Sequence, residues 1–242
     1  MWLGRVLWRG VVCEVRQDDE GRILGPGGRV LPPEQVQFLP PCQPTKIVCV
    51  GRNYKEHAKE LGNAVPERPL IFLKPPSAVL APGGMILIPP DSSQVEYEGE
   101  IAVAISRTLR NLAANEDPLD YVAGVTPLND VTARDLQRLD VQFTRGKSFD
   151  TFCPFGPWIS PVEDFAAITV TTFLNGAKVQ EGCSGEMVFP ISELLRFISR
   201  VMTLCPGDVV ATGTPPGVGR LAPGDSVSVE VNGIRLDNSV ER

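Results

Sequence analysis

Two Asn-Gly dipeptides constrain this chain more than any other feature. Asn175-Gly176 follows Ile168-Thr-Val-Thr-Thr-Phe-Leu174, and Asn232-Gly233 follows Val227-Ser-Val-Glu-Val231. Both residue types tolerate the left-handed backbone of a two-residue hairpin loop, so each dipeptide predicts a tight turn between antiparallel strands. The first forty residues have a similar texture, with Val11-Val12-Cys13-Glu14-Val15 near the turn clusters Asp18-Asp19-Glu20-Gly21 and Gly25-Pro26-Gly27-Gly28. Helical spacing is confined to residues 54–61, 130–139 and 191–204, the last with Leu194, Leu195, Ile198 and Val201 on one face. There is no internal repeat and no regular strand–helix alternation, which argues against a parallel doubly wound fold. The expected class is mainly β or α+β. The Pro-rich joint Leu39-Pro40-Pro41-Cys42-Gln43-Pro44 divides the chain into a small N-terminal β domain, 1–43, and a larger domain, 44–242, which opens on the apolar strand Ile47-Val-Cys-Val50.

Composition narrows the function. A net charge of −6 without a basic run argues against nucleic acid as a partner. No apolar stretch approaches the roughly 18 residues of a membrane span. Arg5 and Arg9 interrupt the opening segment, so it lacks the apolar core of a signal peptide, and the expected location is cytoplasmic. Six cysteines are scattered without a Cys-x-x-Cys pair, which predicts free thiols. His57 is the single histidine, which excludes zinc sites built on several imidazoles. A metal here would be oxygen-bound, which points to Mg²⁺, Mn²⁺ or Ca²⁺.

Several segments could carry chemistry, and each has a plainer reading beside it. In Glu96-Tyr97-Glu98-Gly99-Glu100-Ile101-Ala102-Val103-Ala104-Ile105, an extended backbone puts the three glutamates on one face, which is either solvated or gathered around a cation. In Thr126-Pro-Leu-Asn-Asp-Val-Thr-Ala-Arg134, Asn129 or Asp130 is either an N-cap for the following helix or a ligand, with Arg134 and Gln137 on one helical face. Lys147 follows a glycine and precedes Ser148-Phe149, and a surface position is its ordinary alternative. His57 and Glu60 are three apart, close enough on a helix for the carboxylate to orient the imidazole. The loop Ala211-Thr-Gly-Thr-Pro-Pro-Gly-Val-Gly219 offers amides and hydroxyls to an anion, though without the Gly-Lys-Ser/Thr of a Walker loop, which leaves a phosphate-binding module as a competing reading.

Taken in order, Lys46-Ile-Val-Cys-Val-Gly-Arg-Asn-Tyr54 with His57, Phe72-Leu-Lys-Pro-Pro-Ser77, Tyr97-Glu-Gly-Glu100, Asn129-Asp-Val-Thr-Ala-Arg134, Lys147-Ser-Phe-Asp150, Pro206-Gly-Asp208 and Thr212-Gly-Thr-Pro215 resemble the fumarylacetoacetate hydrolase family. The resemblance implies a rolled, mixed β-sheet catalytic domain, a homodimer, and a divalent metal, Mg²⁺ or Mn²⁺ with Ca²⁺ as a substitute, held by Glu98, Glu100 and Asp130. The name-giving branch carries a further aspartate upstream. Val50-Gly51-Arg52-Asn53-Tyr54 has none, so the chain resembles the smaller three-carboxylate branch, some of whose members carry a short leading domain. The same similarity implies a catalytic set of His57, Glu60 and Lys147, with His57 and Glu60 on a lid segment. It also implies a substrate-binding set of Arg52, Arg134, Gln137 and Thr214. The implied substrates are small 2-oxo or 2-hydroxydienoate dicarboxylic acids, processed through a metal-bound enolate by C–C hydrolysis of the acylpyruvate type or by isomerisation of the 2-hydroxyhepta-2,4-diene-1,7-dioate type. Oxaloacetate decarboxylation or tautomerisation, and a metal-binding relative without turnover, are the alternatives.

Overall fold

The computed structural model describes all of residues 1–242. Strands dominate, and the four α-helices are short: α1 (Lys55–Glu60), α2 (Arg134–Leu139), α3 (Thr144–Lys147) and α4 (Ile191–Val201). Both Asn-Gly turns form, with φ of 51° and 81° at Asn175 and Gly176 and of 48° and 80° at Asn232 and Gly233. They fold Thr169–Leu174 onto Ala177–Cys183 and Ser226–Val231 onto Ile234–Glu241. Met85–Leu87 joins these four strands in parallel to complete a five-stranded sheet.

A second five-stranded sheet runs in the order Val122–Asn129, Gly99–Ile105, Val209–Ala211, Ile47–Gly51, Leu70–Lys74. It is mixed, because Val209–Ala211 and Ile47–Gly51 pair in parallel while the other pairs are antiparallel. The main core gathers Val48, Val50, Ile101, Val103 and Val210 of this sheet with Val170, Val229 and Val231 of the first. Leu194, Leu195 and Ile198 of α4 belong to the same core. Val201, expected on that face, is 56% exposed because it ends the helix. On its other side the second sheet contributes Cys49, Ala102, Leu128 and Ala211 to a separate cluster with Phe155. The strand Gly99–Ile105 is therefore covered on both faces, and an acidic residue at its start is largely withdrawn from water.

The first forty residues form their own strands, Trp2–Trp8, Val11–Gln17, Ile23–Leu24, Val30–Leu31 and Val36–Leu39, and Trp158–Ile159 from far along the chain pairs with the first of them. Trp158 is buried and meets Phe38 edge to face at 5.1 Å between ring centroids. All six cysteines are free. No helix is long and apolar enough to cross a membrane.

The helix expected over 130–139 begins only at Arg134. Thr132–Ala133 is drawn into a short ladder with Val95–Tyr97, which keeps the backbone extended past Asp130. Asp130 is thus not an N-cap, and its carboxylate is left for other partners.

Asp208 anchors the parallel pair. Its Oδ1 accepts from the Thr45 backbone N–H at 2.9 Å and the Thr45 hydroxyl at 2.7 Å, and its Oδ2 accepts from the Cys205 N–H at 2.8 Å and pairs with Lys46. Burial alone would raise its pKa, but the Cys205 N–H, Lys46 and Thr45 outweigh that and hold it below the ordinary 3.8. Replacing it (Asp208→Asn) should cost about 2–3 kcal/mol in urea unfolding at pH 7. Since the folded pKa is the depressed one, that stabilisation is present above the unfolded value and is lost as pH falls through the folded one, so the gap between wild type and variant should close in acid. A gap that stays constant from pH 7 to pH 3 would contradict the assignment.

Candidate active site

The chain changes sheets at Glu98. Val95–Tyr97 pairs with Thr132–Ala133 and Gly219–Arg220, whereas Gly99–Ile105 enters the central sheet. Gly99 is required at this junction, because a Cβ there would lie 1.9 Å from the Thr172 hydroxyl. The Glu98 N–H donates to Asn129 Oδ1 at 3.0 Å and the Glu98 carbonyl accepts from the Asp130 N–H at 2.8 Å, so the two acidic segments are locked together through their backbones. Glu98, Glu100 and Asp130 converge as a result. Each is at most 4% exposed, and one carboxylate oxygen from each lies within 4.8 Å of the others. The solvated-face reading of the glutamates is excluded. The spacing is also only partly regular, since Glu96 turns away from the triad to meet Arg134.

Buried cations surround the acids. Arg134 bridges Glu96, at 2.7 Å from Nε, and Glu98, and donates through Nη1 to Gln137 Oε1 at 2.5 Å. Lys147 lies 2.7 Å from both Glu98 Oε2 and Asp130 Oδ2, and is 2% exposed rather than a surface lysine. Lys74 holds the other oxygen of Asp130 at 2.5 Å and donates to the Val131 carbonyl at 3.1 Å. Burial would raise the pKa of Glu98, but Lys147 and Arg134 override it and hold the carboxyl well below its usual range. Burial would likewise depress Lys147, yet Asp130 and Glu98 push it up to about 12.

Glu100 differs. Its protein donor is the Gly213 N–H at 2.8 Å, presented by a backbone at φ 104° where a Cβ would come 2.8 Å from that of Asn53. Burial, then Asp130 and Glu98, drive its pKa well above the ordinary value. The three buried cations Arg134, Lys147 and Lys74 pair with Glu96, Glu98 and Asp130, and none of them pairs with Glu100. A hard divalent ion fits this donor set. It takes carboxylate oxygens, each carboxylate has lone pairs beyond those its protein partners use, and it would supply the charge that Glu100 lacks.

The triad lines a cavity of about 310 Å³. Nine of the ten residues singled out in the sequence line it: Arg52, His57, Glu98, Glu100, Asp130, Arg134, Gln137, Lys147 and Thr214. Glu60 stands behind His57, with its Oε2 3.4 Å from His57 Nδ1, and also accepts from the Gly217 N–H at 3.1 Å, which ties α1 to the 211–219 loop. Burial depresses the His57 pKa, with Glu98 opposing. In that loop, the Thr214 hydroxyl donates to the Gly99 carbonyl and accepts from Gln180 Nε2, both at 2.8 Å. The Gly213 and Gly217 amides already hold the protein's own carboxylates, which removes the basis for a phosphate-binding module. Lys74 escaped assignment from sequence. Its signal is a charge closing the apolar strand Leu70-Ile-Phe-Leu73 before two prolines.

Residues 46–241 match the family model described as fumarylacetoacetate (FAA) hydrolase C-terminal. The crystal structure of 5-carboxymethyl-2-hydroxymuconate delta-isomerase from Mycobacterium smegmatis superposes with a TM-score of 0.92 at 40% identity, covering 100% of this chain and 99% of that one. For 2-hydroxyhepta-2,4-diene-1,7-dioate isomerase from Mycobacterium marinum the TM-score is 0.88 at 38% identity, covering 100% and 98%. The mitochondrial oxaloacetate tautomerase FAHD2A of Homo sapiens is 41% identical over 215 residues, 84% of this chain and 68% of that protein.

Arg134 is the one cation paired with Glu96, and it also pairs with Glu98. Replacement by Met leaves Glu96 and Glu98 without it and should cost about 3–5 kcal/mol in equilibrium unfolding, with Lys recovering only part because one ammonium cannot span both carboxylates. A loss below about 1 kcal/mol would contradict the network as described.

Proposed function

Since the chain belongs to the fumarylacetoacetate hydrolase family, we propose that it is a divalent-metal-dependent enzyme acting on small 2-oxo or 2-hydroxydienoate dicarboxylic acids, with isomerisation as its reaction. The catalytic unit is 44–242 and the leading β domain 1–43, a division supported by the family match beginning at residue 46. The observation that carries the reading is the convergence of Glu98, Glu100 and Asp130 in a cavity also lined by Lys147 and His57. Isomerisation is preferred because two relatives described as isomerases align with the chain nearly end to end.

Mg²⁺ or Mn²⁺ held by Glu98, Glu100 and Asp130 would supply a Lewis acid where negative charge develops on the 2-oxo oxygen. Lys147, held charged by Asp130 and Glu98, donates to that same oxygen. Gln137, fixed by Arg134, faces the carbon skeleton. His57 is neutral near pH 7 because burial depresses its pKa, and with Nδ1 turned to Glu60 its other nitrogen is left for the cavity. It takes a proton from a carbon beside the 2-oxo group and returns it elsewhere along the conjugated chain, so no proton is consumed and no bond of the carbon skeleton breaks. C–C hydrolysis would use the same pair to activate water, and oxaloacetate tautomerisation would use the proton transfer alone.

Glu98 is a poor residue for testing the metal, because its removal also exposes Arg134 and Lys147. Glu100 has no such partners. In Glu100→Gln the protein should stay folded while Mg²⁺-dependent turnover falls by about a hundredfold or more, followed as loss of enol absorbance across acylpyruvates, oxaloacetate and 2-hydroxydienedioates. Enol loss from 2-hydroxydienedioates without pyruvate release identifies isomerisation, whereas the same outcome confined to oxaloacetate identifies tautomerisation. Undiminished turnover in this variant, or in chelator-treated wild type, would overturn the metal-dependent reading. His57→Asn should lower kcat by about 10²- to 10⁴-fold. In wild type the activity should be present above the folded His57 pKa and fall as pH drops through it, an acid limb lying below the ordinary 6.5. An acid limb above 6.5, or one that survives the substitution, would remove His57 from that role.

A further inference from the structure

The residues lining the cavity differ in exposure: Glu98, Glu100, Asp130, Arg134 and Lys147 are buried, Arg52 is half-buried and Arg138 is exposed, which separates an inner part from an outer one. The inner part carries the carboxylates, with every inner cation paired: Arg134 to Glu96 and Glu98, and Lys147 to Glu98 and Asp130. Two other arginines line the same cavity, Arg52 and Arg138, and neither takes part in an ion pair or a side-chain hydrogen bond. Arg145, on the neighbouring α3, is by contrast paired with Asp140.

Register on α2 sets the depth. Arg134, Gln137 and Arg138 lie at i, i+3 and i+4, so one helical face lines the cavity, and at about 1.5 Å per residue Arg138 stands about 6 Å along the axis from Arg134. A short carbon backbone covers that span. Arg52 approaches from the end of the strand Ile47–Gly51 with a backbone φ of 59°, a left-handed conformation that a side-chain-bearing residue holds only when its surroundings impose it. The restraint is visible next door, where Asn53 bonds to the backbone of Phe189 and Thr212. Leu61, Phe72 and Phe143 supply apolar wall to the same cavity.

We propose that Arg138, together with Arg52, forms a guanidinium clamp for the far carboxylate of the substrate, so that the cavity selects 2-oxo dicarboxylates over 2-oxo monocarboxylates of equal chain length. The clamp rests on the chelating site proposed above and adds a second, separate point of recognition. Two unpaired guanidinium groups at the outer end match a second carboxylate in charge and in fork geometry, and their positive field draws dianions in.

The test is calorimetric titration of the Mg²⁺-loaded full chain with three probes: oxalate, which reaches the inner end alone; 2-oxoglutarate; and 2-oxopentanoate, of the same length but without the second carboxylate. Wild type should bind 2-oxoglutarate at least about tenfold more tightly than 2-oxopentanoate. In Arg138→Gln that ratio should fall towards one, with oxalate affinity unchanged, and Arg52→Gln should lower it as well. A wild-type ratio near one, or a ratio that survives both substitutions, overturns the clamp while leaving the chelating site standing. Failure of oxalate to bind wild type overturns the chelating site, and the clamp with it.

Discussion

A buried carboxylate has to be compensated, and this fold is arranged around four of them. The strand Gly99–Ile105 is covered on both faces, so the acids at its start are largely withdrawn from water. Arg134, Lys147 and Lys74 answer three of the four charges, each through short contacts from a different segment. The fourth acid, Glu100, meets a single backbone N–H, and charging it is correspondingly costly. Such an imbalance is costly in an interior, and a divalent cation bound by the triad would relieve it. The geometry that unites the ligands is backbone geometry, set by the exchange of hydrogen bonds between Glu98, Asn129 and Asp130 and by the glycine that lets the chain cross between sheets.

The same economy of contacts explains how distant segments act as one site. Asp130 is held from behind by Lys74, which is fully buried and lines no part of the cavity, and from the front by Lys147. Glu60 joins α1 to the 211–219 loop while standing behind His57, so the position of the imidazole depends on a loop that also presents Gly213 to Glu100. His57 and Glu100 are therefore linked through one glycine-rich turn.

What the sequence made legible was local. The Asn-Gly turns formed where expected because their backbone preference does not depend on tertiary context. The convergence of Glu98 and Glu100 followed from period-two spacing, but whether their face was wet or buried could not, since burial is decided by strands remote in sequence. Glu96 was grouped with them by spacing and separated by topology, because Val95–Tyr97 belongs to another sheet. Asp130 looked like a helix cap until the ladder between Val95–Tyr97 and Thr132–Ala133 delayed the helix to Arg134. Lys74 was visible as an odd charge, but its partner lies 56 residues away. The site residues emerged mostly through family resemblance, and the structure supplied what resemblance could not, namely which of their charges are paired.

The most direct test of the central claim is anomalous diffraction from a crystal grown with Mn²⁺. One strong peak per chain, about 2.1 Å from oxygens of Glu98, Glu100 and Asp130, is the predicted result. A peak elsewhere, or a well-ordered triad with no peak at saturating Mn²⁺, would contradict it.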